Sequence, residues 1–137
     1  MNDLHGSVLR GYGDLTGVFL VWLLHLYLFG LFPSPGHGGN DPGKVGVDGS
    51  LEKDINLEIA KKLKAYLEAS DVEVVMTREE DKGLYGEKDS RKKMADMKKR
   101  CDLINETKPE LVVSIHQNSY HEENVSGGQV FYYKDSE

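Results

Sequence analysis

Two short runs of β-branched and aliphatic residues, VEVVMT at 72–77 and LVVSI at Leu111–Ile115, each follow a longer segment with helical apolar spacing. This alternation constrains the chain more than any other feature. LVVSI is almost continuously apolar, the pattern of a strand buried on both faces of a parallel sheet. Residues 51–69 set Ile55, Ile59, Leu63 and Leu67 four apart with Tyr66 alongside, and Lys and Glu opposite. That spacing predicts an amphipathic helix with Ser50 as its N-cap. Met94, Met97, Cys101 and Ile104 make a second stripe, predicting a helix that ends before Pro109. QVFYY at 129–133 reads as a last strand. Strands alternating with helices at these spacings predict an α/β fold, with a mostly parallel sheet flanked by helices and right-handed crossovers.

The 137 residues suffice for one domain with a real core. With 39% hydrophobic and 29% charged residues, the composition excludes a disordered chain and a multi-pass membrane protein. A net charge of -6 argues against nucleic acid as a partner, because phosphate binding needs clustered cations. Arg91, Lys92, Lys93, Lys98, Lys99 and Arg100 form the one basic run; interspersed with Asp89 and Asp96, it reads as a solvated helix face. Cys101 is the single cysteine, so no internal disulfide forms, and its place in an apolar stripe predicts a buried small hydrophobe. Residues 18–32, VFLVWLLHLYLFGLF, are uncharged and set residues 1–32 apart as an N-terminal segment. The run reads as a signal core or a membrane anchor, implying export and a possible membrane contact, although it is shorter than the roughly 20 residues a spanning helix needs. The competing reading makes 26–32 the first strand of the domain that occupies 33–137.

Between that run and the first helix lies a loop dense in turn formers, PSPGHGGNDPGKVGVDGS at 33–50. In a parallel α/β sheet, loops after strands and N-termini of following helices share one edge, where such sheets place their ligands. Three residues fall there: His37 in the glycine-rich loop, Glu52 in the first turn of the helix, and His116 directly after LVVSI. Taken singly, each has a plain structural explanation; Glu52 is an acid favoured at a helix N-terminus, and the histidines suit a turn and a strand end. Taken together on one edge, two imidazoles and a carboxylate make the donor set of hydrolytic zinc sites, which polarise a carbonyl and lower the pKa of a water to about 7. Gly36, Gly38 and Gly39 let the backbone pass close by. His121 is a rival donor, in what reads as an exposed loop. Tyr85, in the polar connection 78–90, stands where it could rim a substrate, although a merely solvated connection is the plainer reading. The sequons at Asn105 and Asn124 matter only in a eukaryotic secretory protein.

Pro35-Gly36-His37-Gly38-Gly39, Glu52-Lys53-Asp54 opening a helix, and Ser114-Ile115-His116-Gln117-Asn118 ending a strand resemble, in this order, the zinc-dependent N-acetylmuramoyl-L-alanine amidases, in particular the branch acting on spore cortex. Met76-Thr77-Arg78 and the stretch 127–133 are similar to the family too. The resemblance runs from Pro35 to about Glu137. It implies Zn2+ on His37, Glu52 and His116, a substrate contact at Asn118, and peptidoglycan as the partner. The implied reaction cuts the amide between the lactyl group of N-acetylmuramic acid and L-alanine of the stem peptide. Two departures qualify the implication. Ser34 stands where the family loop carries Asp, so a hydrogen bond that orients a ligand is absent or replaced. The family's general acid/base glutamate falls beyond Glu137, which implies a catalytic domain incomplete at the C-terminus, an exposed sheet edge and weak or absent turnover. The alternative is a non-catalytic peptidoglycan-binding or regulatory module.

Overall fold

The computed structural model describes residues 30–119 and 127–132. Three parallel strands, β1 (Gly30–Pro35), β2 (Glu73–Val74) and β3 (Leu111–Ile115), lie in the order β2-β1-β3. Helix α1 (Glu52–Glu68) connects β1 to β2, and α2 (Lys92–Thr107) connects β2 to β3. The fold is α/β, with a parallel sheet and crossover helices. Gly30–Phe32 are strand, as the competing reading of the apolar run requires, and β1 extends through Pro35 into the segment expected to be loop. The remainder of the apolar run lies outside the described residues. No described helix is long and apolar enough to cross a membrane.

Two prolines in the central strand explain why β2 is short. Alternate residues of a parallel strand direct their main-chain groups to opposite neighbours. Phe32, Ser34 and Gly36 face β3, and Gly36 N–H donates to Ile115 O at 2.9 Å. Leu31 and Pro33 face β2, accepting from Val75 N–H and Thr77 N–H at 3.3 Å each. Pro33 and Pro35 have no N–H to return, so the regular ladder stops at Leu31↔Val74. Thus 75–77 run alongside β1 but are not strand, which corrects the expected six-residue element. Toward β3 the pairing continues through Pro35↔Ile115.

The helices expose other faces than their apolar stripes predict. On α1 the buried residues are Glu52, Asn56, Leu57 and Ala60, whereas Ile55, Ile59 and Tyr66 are exposed. Ala60, fully buried, brings the helix close to the sheet, where Leu57 and Met76 form the core with Ile115 against them. That rotation turns Glu52 and Asn56 toward the sheet edge. Ser50 does not cap α1: the N-cap position is Leu51, and no side chain makes the capping bond. Met94, Met97 and Cys101 of α2 are exposed, so Cys101 is not a core residue; the buried residue of α2 is Arg100, taken from the expected solvated face. Leu111 and Val112 of β3 are exposed as well, so this strand is not buried on both faces, and among the described residues no further strand pairs beyond it. Residues 129–132 carry no regular secondary structure, and Val130, Phe131 and Tyr132 are exposed.

Candidate functional site

His37, Glu52 and His116 meet beside the C-terminal edge of the sheet. One donor atom from each lies within 4.8 Å of the others. His37 Nε2 is 3.2 Å from Glu52 Oε1, and His116 Nδ1 is 3.0 Å from the same oxygen. The imidazoles stand edge to face, centroids 5.0 Å apart at 84°. Three different elements deliver these side chains: the turn after β1, the first turn of α1, and the residue after β3.

Each donor is held by neighbours. His37 takes a left-handed backbone (φ 62°), uncommon for a residue with a Cβ. Its Nδ1 meets Asp41 Oδ2 at 2.9 Å, which aims Nε2 at the centre of the cluster. Gly38 and Asp41 close that turn with paired main-chain bonds of 3.0 and 3.2 Å. Glu52 is buried; Lys44 N–H donates to Oε2 at 2.8 Å, and Gln117 N–H to Oε1 at 3.0 Å. Burial pushes its carboxyl upward, but these two N–H groups, with His116 and Asn56, outweigh that and lower its pKa to about 2. The carboxylate is therefore ionised in ordinary buffers. Gly43 completes the fit: with φ 69°, a Cβ there would stand 2.7 Å from both Glu52 Oε2 and His37 Cδ2.

Beneath the site, Arg78 is buried and donates to the Gly36 and Lys53 carbonyls at 3.1 and 2.7 Å through Nη2. Asn56 Nδ2 also reaches Gly36 O, at 3.3 Å. Burial and the neighbouring Arg100 charge both lower the Arg78 pKa. The loop 78–90 is not merely solvated. Tyr85 Oη accepts from Asn40 N–H at 2.7 Å, and Asp81 Oδ1 from Gly39 N–H at 2.8 Å, fastening the loop to the turn that carries His37.

The cluster opens on a cavity of about 460 Å³, lined among others by both histidines, Tyr85, Lys92 and Lys93. The donor set suits a metal ion. Two neutral-capable imidazoles and an ionised carboxylate converge, each fixed from behind, and one side of the cluster faces open space. Asn118 is exposed and donates to Gln129 Oε1 at 2.8 Å, away from the cluster's own hydrogen bonds. His121 lies outside the described residues.

Sequence reasoning brought the three donors together but missed their supports. Ser34, where the resembled family has Asp, turns to Thr77 Oγ1 (3.2 Å), and the carboxylate that orients His37 is Asp41. An acid four residues after a histidine within a glycine-rich turn was the available signal. Arg78 stood out only within the Met76-Thr77-Arg78 resemblance, with no sign of its role, and Asn56 gave no signal, since a polar residue on a helix reads as surface.

Residues 34–137 match the N-acetylmuramoyl-L-alanine amidase family. The germination-specific N-acetylmuramoyl-L-alanine amidase of Bacillus subtilis is 43% identical over 115 residues, covering 82% of this chain and 48% of that protein. The amidase AmiC of Escherichia coli O6:H1 is 38% identical over 98 residues, 71% of this chain and 21% of that one. Among solved structures, the CwlD amidase from Clostridioides difficile, determined in complex with the GerS lipoprotein, aligns with a TM-score of 0.74 at 38% identity. That alignment covers 79% of this chain and 57% of CwlD. The catalytic domain of CwlV from Bacillus (Paenibacillus) polymyxa gives 0.58 at 30% identity, over 71% and 49% of the two chains. The chain thus spans about half the length of the first of these relatives. With the family match, the identity to its relatives and the likeness to a solved amidase in agreement, the chain belongs to the N-acetylmuramoyl-L-alanine amidase family.

Proposed function

We propose that His37, Glu52 and His116 bind one zinc ion, and that the site serves hydrolysis of the amide joining the lactyl group of N-acetylmuramic acid to L-alanine in peptidoglycan. The convergence of three donor atoms within 4.8 Å, open to a cavity, carries this reading. The relatives' activity supports the substrate. Export to the cell wall follows from that substrate; since Gly30–Phe32 belong to β1, the apolar residues that precede the strand, 18–29, are left as the export signal or membrane anchor. The amidase portion, expected from residue 33, then begins with β1 at Gly30.

Bound zinc supplies a Lewis acid and a water acidified to a pKa near 7. The protein's own residues do the positioning. Asp41 fixes the His37 ring so that Nε2 faces the centre, and Lys44 and Gln117 N–H groups keep Glu52 charged and oriented. The cavity, rimmed by Tyr85 and by Lys92 and Lys93, receives the muramyl peptide, and the exposed Asn118, two residues after His116, is a further substrate contact.

Proton transfer to the leaving amine needs a free acid. Among the described residues lining the cavity, the two carboxylates are engaged: Asp41 with His37 and Asp96 with Arg100. A non-catalytic peptidoglycan-binding role is the second reading.

The test is a zinc titration after dialysis against chelator, followed by muropeptide digestion. One equivalent of zinc should bind to the wild-type chain and none to His37→Ala or His116→Ala. Zinc uptake surviving both substitutions sinks the site. New L-alanine amino termini and free lactyl ends support amidase activity, whereas peptidoglycan pull-down without either product supports the second reading.

A further inference from the structure

The buried residue of α2 is an arginine, and its contacts run to the turn that carries His37. Arg100 Nη1 donates to Pro35 O at 2.8 Å, and Nη2 donates to His37 O at 2.7 Å. Gly36 O, between them, is taken by Arg78. Three successive carbonyls of the turn therefore end on guanidinium groups. These bonds fall where the backbone most needs them, because His37 holds a left-handed conformation that persists only when its surroundings over-determine it.

Arg100 is itself fixed. Its Nε donates to Asp96 Oδ2 at 2.6 Å, while Asp96 Oδ1 accepts Leu84 N–H at 2.6 Å from the loop that bears Tyr85. Nη1 also reaches Thr77 Oγ1 at 3.1 Å and Ser34 Oγ at 3.4 Å. Both partners of the Arg100–Asp96 pair are largely buried, so solvent does little to screen it. Removing one partner would strand the other charge. Arg100 is 63 residues from His37 in sequence, and no apolar contact would give the same directional hold on a carbonyl.

We propose that the Arg100–Asp96 pair is a positioning device for the metal site: it clamps the His37 turn to α2 and sets the direction of the His37 imidazole. The inference rests on the zinc reading above and adds residues that touch neither metal nor substrate. Lysine at position 100 keeps the charge but loses the fork that spans Pro35 O and His37 O. Asparagine at 96 keeps the shape and loses the counter-charge. Ser34, 3.4 Å from Nη1, is placed so that an aspartate there would resupply it.

The test measures zinc affinity by chelator competition, thermal unfolding, and amide hydrogen exchange of Gly38 in the metal-free chain, whose N–H is bonded to Asp41 O across the turn. Arg100→Lys and Asp96→Asn should each weaken zinc binding about tenfold or more and speed Gly38 exchange. Asp96→Asn combined with Ser34→Asp should recover most of both. Ile104→Ala, elsewhere on α2, should lower the melting temperature and leave zinc affinity and Gly38 exchange near wild type. If Arg100→Lys does not fold, the Asp96 and Ser34 variants decide. Unchanged affinity and exchange in Asp96→Asn, or equal losses in Ile104→Ala, overturn the proposal. A wild-type chain that takes up no zinc sinks the metal reading instead, and Gly38 exchange still tests the clamp.

Discussion

Gly36→Ala should empty the metal site while leaving the fold standing. A methyl group built at Gly36 lies 2.1 Å from His116 Cε1, 2.4 Å from Nε2 and 2.6 Å from Nδ1. Carbon atoms settle about 3.5 Å apart or more, so the ring must retreat by roughly 1.5 Å. That breaks its 3.0 Å contact with Glu52 Oε1 and far exceeds the ~0.2 Å tolerance of a zinc–nitrogen bond. The backbone at Gly36 is not left-handed, so alanine adds no strain there. The ring is also half exposed and free to swing outward, so the stability loss should stay near the lower end for overpacking, about 1–2 kcal/mol. Loss of a supporting residue around a metal costs about 10- to 100-fold in affinity, so displacing a ligand should cost more than ~100-fold, about 2.7 kcal/mol. Paired urea unfolding and zinc competition measure both quantities. Zinc affinity within threefold of wild type, in a folded Gly36→Ala chain, would refute the assignment of His116 as a ligand.

Three further outcomes are expected. Arg78→Met removes donors from the Pro35, Gly36, Lys53 and Glu80 carbonyls and should lower stability by about 3 kcal/mol in urea; a loss under 1 kcal/mol would show that the neighbouring donors suffice. Asp81 is held below the usual carboxylate range chiefly by Lys53, against an opposing effect of burial, with help from Gly39 N–H. Its folded pKa is depressed, so its contribution is present above the unfolded value of about 3.9 and is lost as pH falls through the lower folded value. Since Asp81 is nearly half exposed, that contribution should be below ~1 kcal/mol, and Asp81→Asn should flatten the stability profile below pH 4; an unchanged profile contradicts it. Asn118→Ala should leave zinc stoichiometry at one while weakening muropeptide binding, and unchanged binding by calorimetry would remove Asn118 from the substrate surface.

Much of the site was legible because its determinants are local. His37 sits among glycines in a turn, Glu52 opens a helix, and His116 ends an apolar strand, so parallel topology alone carries them to one edge. Side-chain supports were less legible because their partners are main-chain atoms far away in sequence. Arg100 reads as one more cation in a basic run until the turn at Pro35 and His37 is folded against it. The apolar stripes of both helices misled for a related reason. Periodicity reports which face is greasy, but which face is buried depends on what packs there, and on α1 the close approach of Ala60 and the hydrogen bonds of Glu52 and Asn56 set the rotation.

The amino-acid order by itself determined the alternation of strands and helices, the glycine-rich turn, and the three donor residues, since these follow from short-range periodicity and from chain direction in a parallel sheet. Only the tertiary structure decided the length of β2, the exposure of β3, the rotation of α1, and the use of Asp41, Arg78 and Arg100 as supports. Those features depend on which main-chain groups remain without partners once the strands have paired, and that is known only when all the segments are in place.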